Sequence, residues 1–309
     1  MSLLGRLIAT IGRAEAQAAP AAPAAPTDVN ALVEVAHAQR VLTAQSLIGA
    51  LLARPEYADP LRLERHGYKT WSQQDEDGII AEIFRRIGVA HYSFIEFGAG
   101  DGSENNTTAL LTQGWRGLWV DGDSNNAASL RHHFDPLVQA SLLHLSNAFV
   151  TRDNAAGIVA AAGLGAEIDL LSIDLDGNDY HVWESLDTVN PRVVVIEYNA
   201  RFRPPADWVM PYDANHAWDG TDSFGASLCA FDRLARTKGY RLAGCNLTGA
   251  NAFFVRADLA HDLFFDPASP QLLFQPARYE LMWGFTSAHP PSPATIVTAA
   301  LAARRAATG

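Results

Sequence analysis

The sequence predicts an α/β protein built on one mostly parallel sheet that ends in an antiparallel pair. Short apolar runs alternate with helical segments, a glycine-rich turn follows the first run, and a polar group stands at the tip of each successive run. The runs are "SFIEFG", "GLWVDGD", "ASLLHLSNAFV", "IDLLSIDLDG" and "RVVVIEYN", each bounded by Gly, Pro, Asn or Asp. Between them lie "TALLTQG", "NNAASLRHHF", "NAAGIVAAAG" and "DYHVWESL", which read as crossover helices.

Taken in chain order, residues 1–28 read as a flexible tail. The start mixes Leu and Ile with Arg6 and Arg13 in a stretch too short to span a bilayer, so weak membrane-surface contact through residues 1–15 is the most it offers. Residues 16–28 are an Ala/Pro linker with nothing to bury. Residues 29–69 read as a helical extension: apolar residues recur at helical spacing over 29–54, with Asp28 as a candidate N-cap. A second helix is expected over 71–88, capped by Ser72 or Asp75, with Ile79, Ile80, Ile83, Phe84 and Ile87 in one stripe and Gly88 as its stop. The alternating domain occupies 70–256 and closes with a helix ended by Gly239, then two strands joined around "LTGAN". Residues 257–309 form a Pro-rich, aromatic C-terminal extension with a terminal Ala/Arg helix.

Composition narrows the function. With 23 Lys+Arg against 34 Asp+Glu, the formal net charge is −11, and no basic patch offsets it, so nucleic acid is not expected as a partner. Cys229 and Cys245 fit neither a disulfide framework nor a zinc site, which points to a reducing compartment, the cytoplasm.

The glycine turn "FIEFGAGDGSENNTT" (94–108) is the first candidate site, because ligands of open parallel sheets bind at the carboxyl ends of the strands. A dinucleotide fingerprint would need a third glycine where Ser103 stands. Asp101 and Glu104 would also face two phosphates, and a helix dipole of about half a charge cannot offset both. A cationic ligand reverses the sign of that argument. S-adenosylmethionine (SAM) carries a sulfonium and an ammonium that carboxylates favour, and a carboxylate that helix-start N–H groups accept. Asp121 stands about 20 residues after the turn, where an acid takes ribose hydroxyls in either kind of cofactor. The strand tips Glu96, Asp121, Asn147, Asp174 and Glu197 complete an ordered polar set.

With "SQQDEDGIIAEIF", "FIEFGAGDGSENNT", "LWVDGD", "LLSIDLDGNDYHVWESL" and "PRVVVIEYN" in this order, residues 70–256 resemble the FkbM-like family of class I SAM-dependent methyltransferases. The resemblance implies a Rossmann-like fold of seven strands with an antiparallel last strand, and methyl transfer, typically to oxygen. It implies that Glu96, Gly98, Ala99, Gly100, Asp101, Gly102 and Ser103 hold the methionine end of SAM. Asp121 and Gly122 would then hold the ribose and Asn147 or Ala148 flank the adenine, while Gln73 and Asp77 close over the cofactor. Many members carry Lys and Glu in the fourth-strand motif where this chain has Ser172 and Asp176, so its acceptor side differs.

Transfer to a hydroxyl is an in-line displacement that also releases a proton. Asp174 is the first candidate beside the reacting centre, followed by Asp176, His181 and Glu197; a histidine inside a helix is more often packed than catalytic. Asp174, Asp176, Asp179 and Glu197 could instead gather a divalent cation such as magnesium, a pattern loosely similar to magnesium-dependent sugar O-methyltransferases, or simply cap helix starts. In the long segment 199–222, Trp208, Tyr212, His216 and Trp218 could stack on a sugar, with Arg201 and Arg203 reaching an acidic group, or the loop could pack on its own aromatics. The expected acceptor is a sugar hydroxyl on a glycan or glycosylated metabolite. The alternatives are a small non-sugar metabolite, and a silent SAM-fold module that binds a partner.

Overall fold

The computed structural model describes residues 29–282 and 289–308. The expectations for residues 1–28, including the surface contact and the Asp28 cap, lie outside them. The chain divides into two compact units, residues 1–40 and 41–309. Helix α1 (Val29–Leu52) lies within the stretch 29–54 whose apolar residues recur at helical spacing. In the first unit, its Val29, Leu32, Val33 and Val35 are exposed. In the second, Ile48, Leu51 and Leu52 pack against Tyr57, Leu247 and Leu281. No helix among the described residues is long and apolar enough to cross a membrane.

The second helix, α2 (Glu76–Ile87), begins after Asp75, one of its two expected caps, and not at 71. Asp77 Oδ2 accepts the N–H groups of Thr70, Trp71 and Ser72 at 2.7, 2.6 and 2.9 Å, folding those residues into a turn instead of helix. Ser72 Oγ accepts the N–H of Asp77 (3.3 Å), as a capping side chain would. Gly88, at φ +71°, ends the helix with its N–H on the Phe84 carbonyl.

Then follow β1 (Ser93–Phe97), α3 (Thr108–Thr112), β2 (Arg116–Asp121), α4 (Ser124–Gln139), β3 (Leu143–Asn147), α5 (Ala155–Ala162), β4 (Glu167–Ile173), α6 (Asp179–Ser185), β5 (Asn190–Glu197), α7 (Leu228–Thr237), β6 (Tyr240–Cys245) and β7 (Asn251–Arg256). They form a seven-stranded sheet in the order β3-β2-β1-β4-β5-β7-β6. The first five strands are parallel, and β7 runs antiparallel to both β5 and β6. This is the Rossmann-like arrangement with an antiparallel last strand that the sequence predicts.

Side chains alternate across the sheet with period two, and both faces are covered. Ile95, Phe97, Val194 and Ile196 pack with Val159 of α5, Trp183 of α6 and Phe231 of α7. Phe94, Leu170, Val193 and Val195 pack on the opposite face with Ile79, Ile80 and Ile83 of α2 and Phe134 of α4. The terminal helix α10 (Pro293–Thr308) adds Ile296 and Ala300 to that second layer. Between α9 (Pro270–Leu273) and α10 the chain passes Tyr279 and the undescribed residues 283–288; the four-residue α8 (Ala257–Ala260) follows β7 directly.

A buried polar layer fastens α2 to the β6–β7 turn. Glu76 Oε1 accepts the side-chain amides of Asn246 (2.8 Å) and Asn251 (2.9 Å), and its Oε2 accepts the N–H of Gln74 (2.8 Å). Asp75 accepts from the N–H of Leu247 and the hydroxyl of Thr248, both at 3.2 Å, so its side chain serves the turn and leaves its own helix uncapped. Burial, reinforced for Glu76 by the adjacent Asp75, pushes these carboxyls to about 6 and about 7. The folded protein therefore holds protons that the unfolded chain releases. The stability this contributes is complete below the ordinary carboxylate range, near 4, and is lost as pH rises through about 7. Melting temperature should fall across that window, and Glu76→Gln should flatten the fall; a parallel pH profile in the variant would remove Glu76 as its source.

Candidate functional site

The carboxyl ends of β1, β2 and β4 open onto a cleft with two lobes. The larger, about 360 Å³, is lined by Asp121, Gly122, Ala148, Phe149, Val150, Leu175, Asp176 and His216, among others. The smaller, about 220 Å³, is lined by Gln73, Glu96, Ala99, Gly100, Asp101, Ser103, Asn105, Asn106 and Asn251, among others. Gly98 and Asp174 belong to both and mark where the lobes meet.

The meeting point exists because β1 and β4 are adjacent parallel strands whose ends come into backbone contact. A Cβ on Gly98 would lie 1.7 Å from the Asp174 carbonyl, and Gly98 sits at φ +83°, so only glycine fits there. Gly100 is at φ +54° with open space around it, whereas Gly102 packs under Phe134 and Leu130 and lines neither lobe. Asp176 holds a left-handed backbone (φ +53°), a conformation that aspartate tolerates better than most non-glycine residues.

Hydrogen bonds fix the turn. Asp121 Oδ2 accepts the N–H of Gly100 (2.7 Å), and its Oδ1 accepts from the N–H of Asp123 (2.8 Å) and the amide of Asn126 (3.2 Å). Asp121 therefore joins the glycine turn to the start of α4 while facing the larger lobe. Glu96 is 4 % exposed and accepts the N–H groups of Asn106 (2.8 Å) and Thr107 (3.2 Å) and the Thr107 hydroxyl, which itself accepts the Trp119 indole N–H (2.8 Å). Burial raises the Glu96 carboxyl above its usual range, opposed by these donors. Ser103 N–H donates to Asp101 Oδ1 (3.0 Å), leaving Asp101 exposed at the rim.

The predicted site residues separate accordingly. Gln73, Glu96, Gly98, Ala99, Gly100, Asp101, Ser103, Asp121, Gly122, Ala148, Asp174 and Asp176 line the cleft. Asn147 does not: its amide donates to the Asp121 carbonyl (3.0 Å) and steadies the end of β2. Asp77 is committed to the turn before α2. His181 stands outside both lobes, its Nε2 held at 2.8 Å from the Met210 carbonyl and its ring against Tyr180 and Tyr212. Glu197 lies beyond the lining of either lobe but close to Asp174 and Asp176.

The loop 199–222 packs mainly on itself and on α6. Trp208 stacks on Phe202 (4.2 Å between ring centroids), Tyr212 lies over the Arg152 guanidinium (3.9 Å), and the Trp218 indole N–H donates to the Thr221 carbonyl (2.7 Å). Arg201 pairs with Asp222 in the same loop (3.3 Å). Its anchors are the Asn178 amide on the Asp213 carbonyl (2.7 Å) and His216 Nε2 beside the Asp176 carbonyl (3.2 Å). Only His216 of the loop's aromatic side chains lines the cleft, seated against Gly177, where a Cβ would meet its ring at 2.2 Å.

Electrostatically the cleft is acidic. No Lys or Arg lines either lobe, and His216 is the one basic side chain there. Burial first, then Asp179 and Asp176, push the Asp174 carboxyl well above its usual range; burial first, then Asp174, does the same for Glu197. Asp176 is raised by burial and held back by His216.

No protein-family model matches the chain, and no curated protein matches its sequence. Solved structures similar to it include magnesium protoporphyrin IX methyltransferase from Synechocystis PCC 6803 with bound SAM. That match has 13 % identity over 60 % of this chain and 79 % of that one, with TM-score 0.40. The methyltransferase domain of bacterial CtHen1 matches at 15 % identity over 59 % of this chain and 97 % of that one, TM-score 0.38. A SAM-dependent methyltransferase from Thiobacillus denitrificans in complex with S-adenosyl-L-homocysteine matches at 17 % identity over 53 % and 63 %, TM-score 0.33. The fold assignment rests on the strand order of the chain itself.

The two turn glycines make opposite demands. Gly98→Ala should cost on the order of 3 kcal/mol or more in urea unfolding, because the Asp174 backbone must move, whereas Gly100→Ala should cost about 1 kcal/mol for its left-handed φ alone. Equal costs would mean that the β1–β4 contact is not the constraint.

Proposed function

We propose that the protein is a SAM-dependent methyltransferase acting on a hydroxyl, with a sugar of a glycan or glycosylated metabolite as the acceptor. The observation that carries the reading is the two-lobed acidic cleft meeting at Gly98 and Asp174. The larger lobe pairs a carboxylate, Asp121, with the apolar Ala148, Phe149, Val150 and Leu175, which suits a ribose next to an adenine. The smaller lobe, edged by Gln73, the glycine turn and Asn105, suits the methionine end. A sulfonium at the junction would lie beside Asp174. Two phosphates would instead enter a cleft lined by carboxylates with no Lys or Arg, which argues against a dinucleotide.

In this reading the acceptor oxygen attacks the methyl carbon along the carbon–sulfur axis, the sulfur leaves as a thioether, and the hydroxyl proton is released at the acidic group of Asp174, Asp176 and Glu197. The cleft's contribution is alignment, which alone can supply several orders of magnitude in rate. The sugar assignment comes from the sequence resemblance; the loop aromatics, largely packed against one another, lend it little beyond His216.

Calorimetry with SAM and S-adenosylhomocysteine should show one site per chain. Asp121→Ala should weaken both by about 10- to 100-fold, the cost of hydrogen bonds to a charged group. Absence of binding by folded protein, or tighter binding of NAD, would overturn the reading. Methyl transfer from labelled SAM to a panel of glycosides and their deoxy analogues tests the acceptor, and Asp174→Ala should retain cofactor binding while losing turnover at least tenfold.

A further inference from the structure

The acids at this end of the sheet fall into two groups. Glu76, Glu96, Asp121 and Asp179 have both oxygens on protein donors, and Asp77 has Oδ2 on three; Asp179, for example, accepts the N–H groups of Leu175 (2.8 Å) and Gly177 (3.0 Å). Asp174, Asp176 and Glu197 are not. Among the described residues their carboxylates take part in no hydrogen bond and no ion pair, and Glu197 Oε2 is shut off from solvent with no donor at all. One oxygen from each lies within 4.8 Å of the other two. Oxygens on opposite sides of one hard cation lie about 4.0–4.2 Å apart for magnesium and about 4.6–5.2 Å for calcium, so three oxygens within 4.8 Å of one another are close enough to share one ion.

A second observation points the same way. Asn251 pairs with Glu197 across the β5–β7 ladder, which puts both side chains on the same face of the sheet. It is 5 % exposed and lines the smaller lobe together with Asp174. Its amide nitrogen is committed to Glu76, while its Oδ1 is buried without a donor. A fourth oxygen thus lacks a donor beside three carboxylates, with no Lys or Arg lining the cleft to neutralise them.

We propose that Asp174, Asp176 and Glu197 form a binding site for a hard divalent cation of the magnesium or manganese type, with Asn251 Oδ1 directed at the same site. The donor set is all oxygen, without the Cys or His that zinc would draw on, and leaves the remaining positions to water. Asp179, included with these acids on sequence grounds, is excluded because both its oxygens are occupied. A cation there would lower the pKa of a hydroxyl drawn to it. The inference stands on the ends of β4, β5 and β7 and does not depend on the methyl-donor reading.

The test is titration of the full chain, freed of metal with EDTA, with Mn²⁺ followed by electron paramagnetic resonance, and with Mg²⁺ as competitor. One Mn²⁺ per chain, displaced by Mg²⁺, is expected, with affinity at least tenfold weaker in Glu197→Gln and in Asp176→Asn. The second variant changes an exposed loop position and guards against loss of fold in the first. No Mn²⁺ binding by the folded wild type, or affinity within twofold of wild type in both variants, overturns the proposal. Titration of the same metal-free protein with S-adenosylhomocysteine reports separately on the methyl-donor reading, so the two can fail independently.

Discussion

The cleft depends on one backbone contact, the approach of Gly98 at the end of β1 to the Asp174 carbonyl at the end of β4. The ladder continues one step past the strands, with the Asp174 N–H on the Phe97 carbonyl (3.1 Å), and the chain at Gly98 must then turn away without a side chain. That turn separates the lobes while leaving them joined. Everything nearby is arranged around it: Gly98 and Ala99 N–H groups both donate to the Val120 carbonyl, and Asp121 reaches back to Gly100. Three neighbouring strands thereby fix one loop to hydrogen-bonding precision.

The same acids that would repel a phosphate also build this loop. Glu96 was expected at the ligand, and it does reach the smaller lobe, but its hydrogen bonds go to the backbone before α3. A carboxylate at a strand tip can thus order a turn or face a ligand, and sequence alone cannot separate the two, because the choice depends on where neighbouring N–H groups point. Asp121 does both.

Much of the fold was legible because short apolar runs and helical spacing report burial directly. All five parallel strands, the crossover helices and the closing antiparallel pair stand where alternation placed them. Helix α2 begins directly after Asp75, one of the two cap positions read from the sequence, while Ser72, the other, lies in a turn that Asp77 draws together, a contact that leaves no periodic signature. In the site, the glycine turn and Asp121 were legible from spacing. His181 and His216 could not be ranked from sequence: one is held by a carbonyl 29 residues away, and the other arrives from a loop 40 residues after Asp176. The Asn251 contribution was hidden for the same reason, since it comes through a strand inserted out of chain order.

A cluster of three carboxylates without donors imposes its own constraint on whatever the protein does. Burial and mutual repulsion raise the Asp174 and Glu197 carboxyls well above their usual range. Glu76 and Asp75 are raised by burial too, but hydrogen bonds from Asn246, Asn251, Leu247 and Thr248 engage their oxygens, and neither lines the cleft. The two acidic groups lie on either side of Asn251, whose amide nitrogen serves Glu76 and whose oxygen lacks a donor. Asn251 thus stands beside both groups: its amide nitrogen holds Glu76, and it pairs with Glu197 across the β5–β7 ladder.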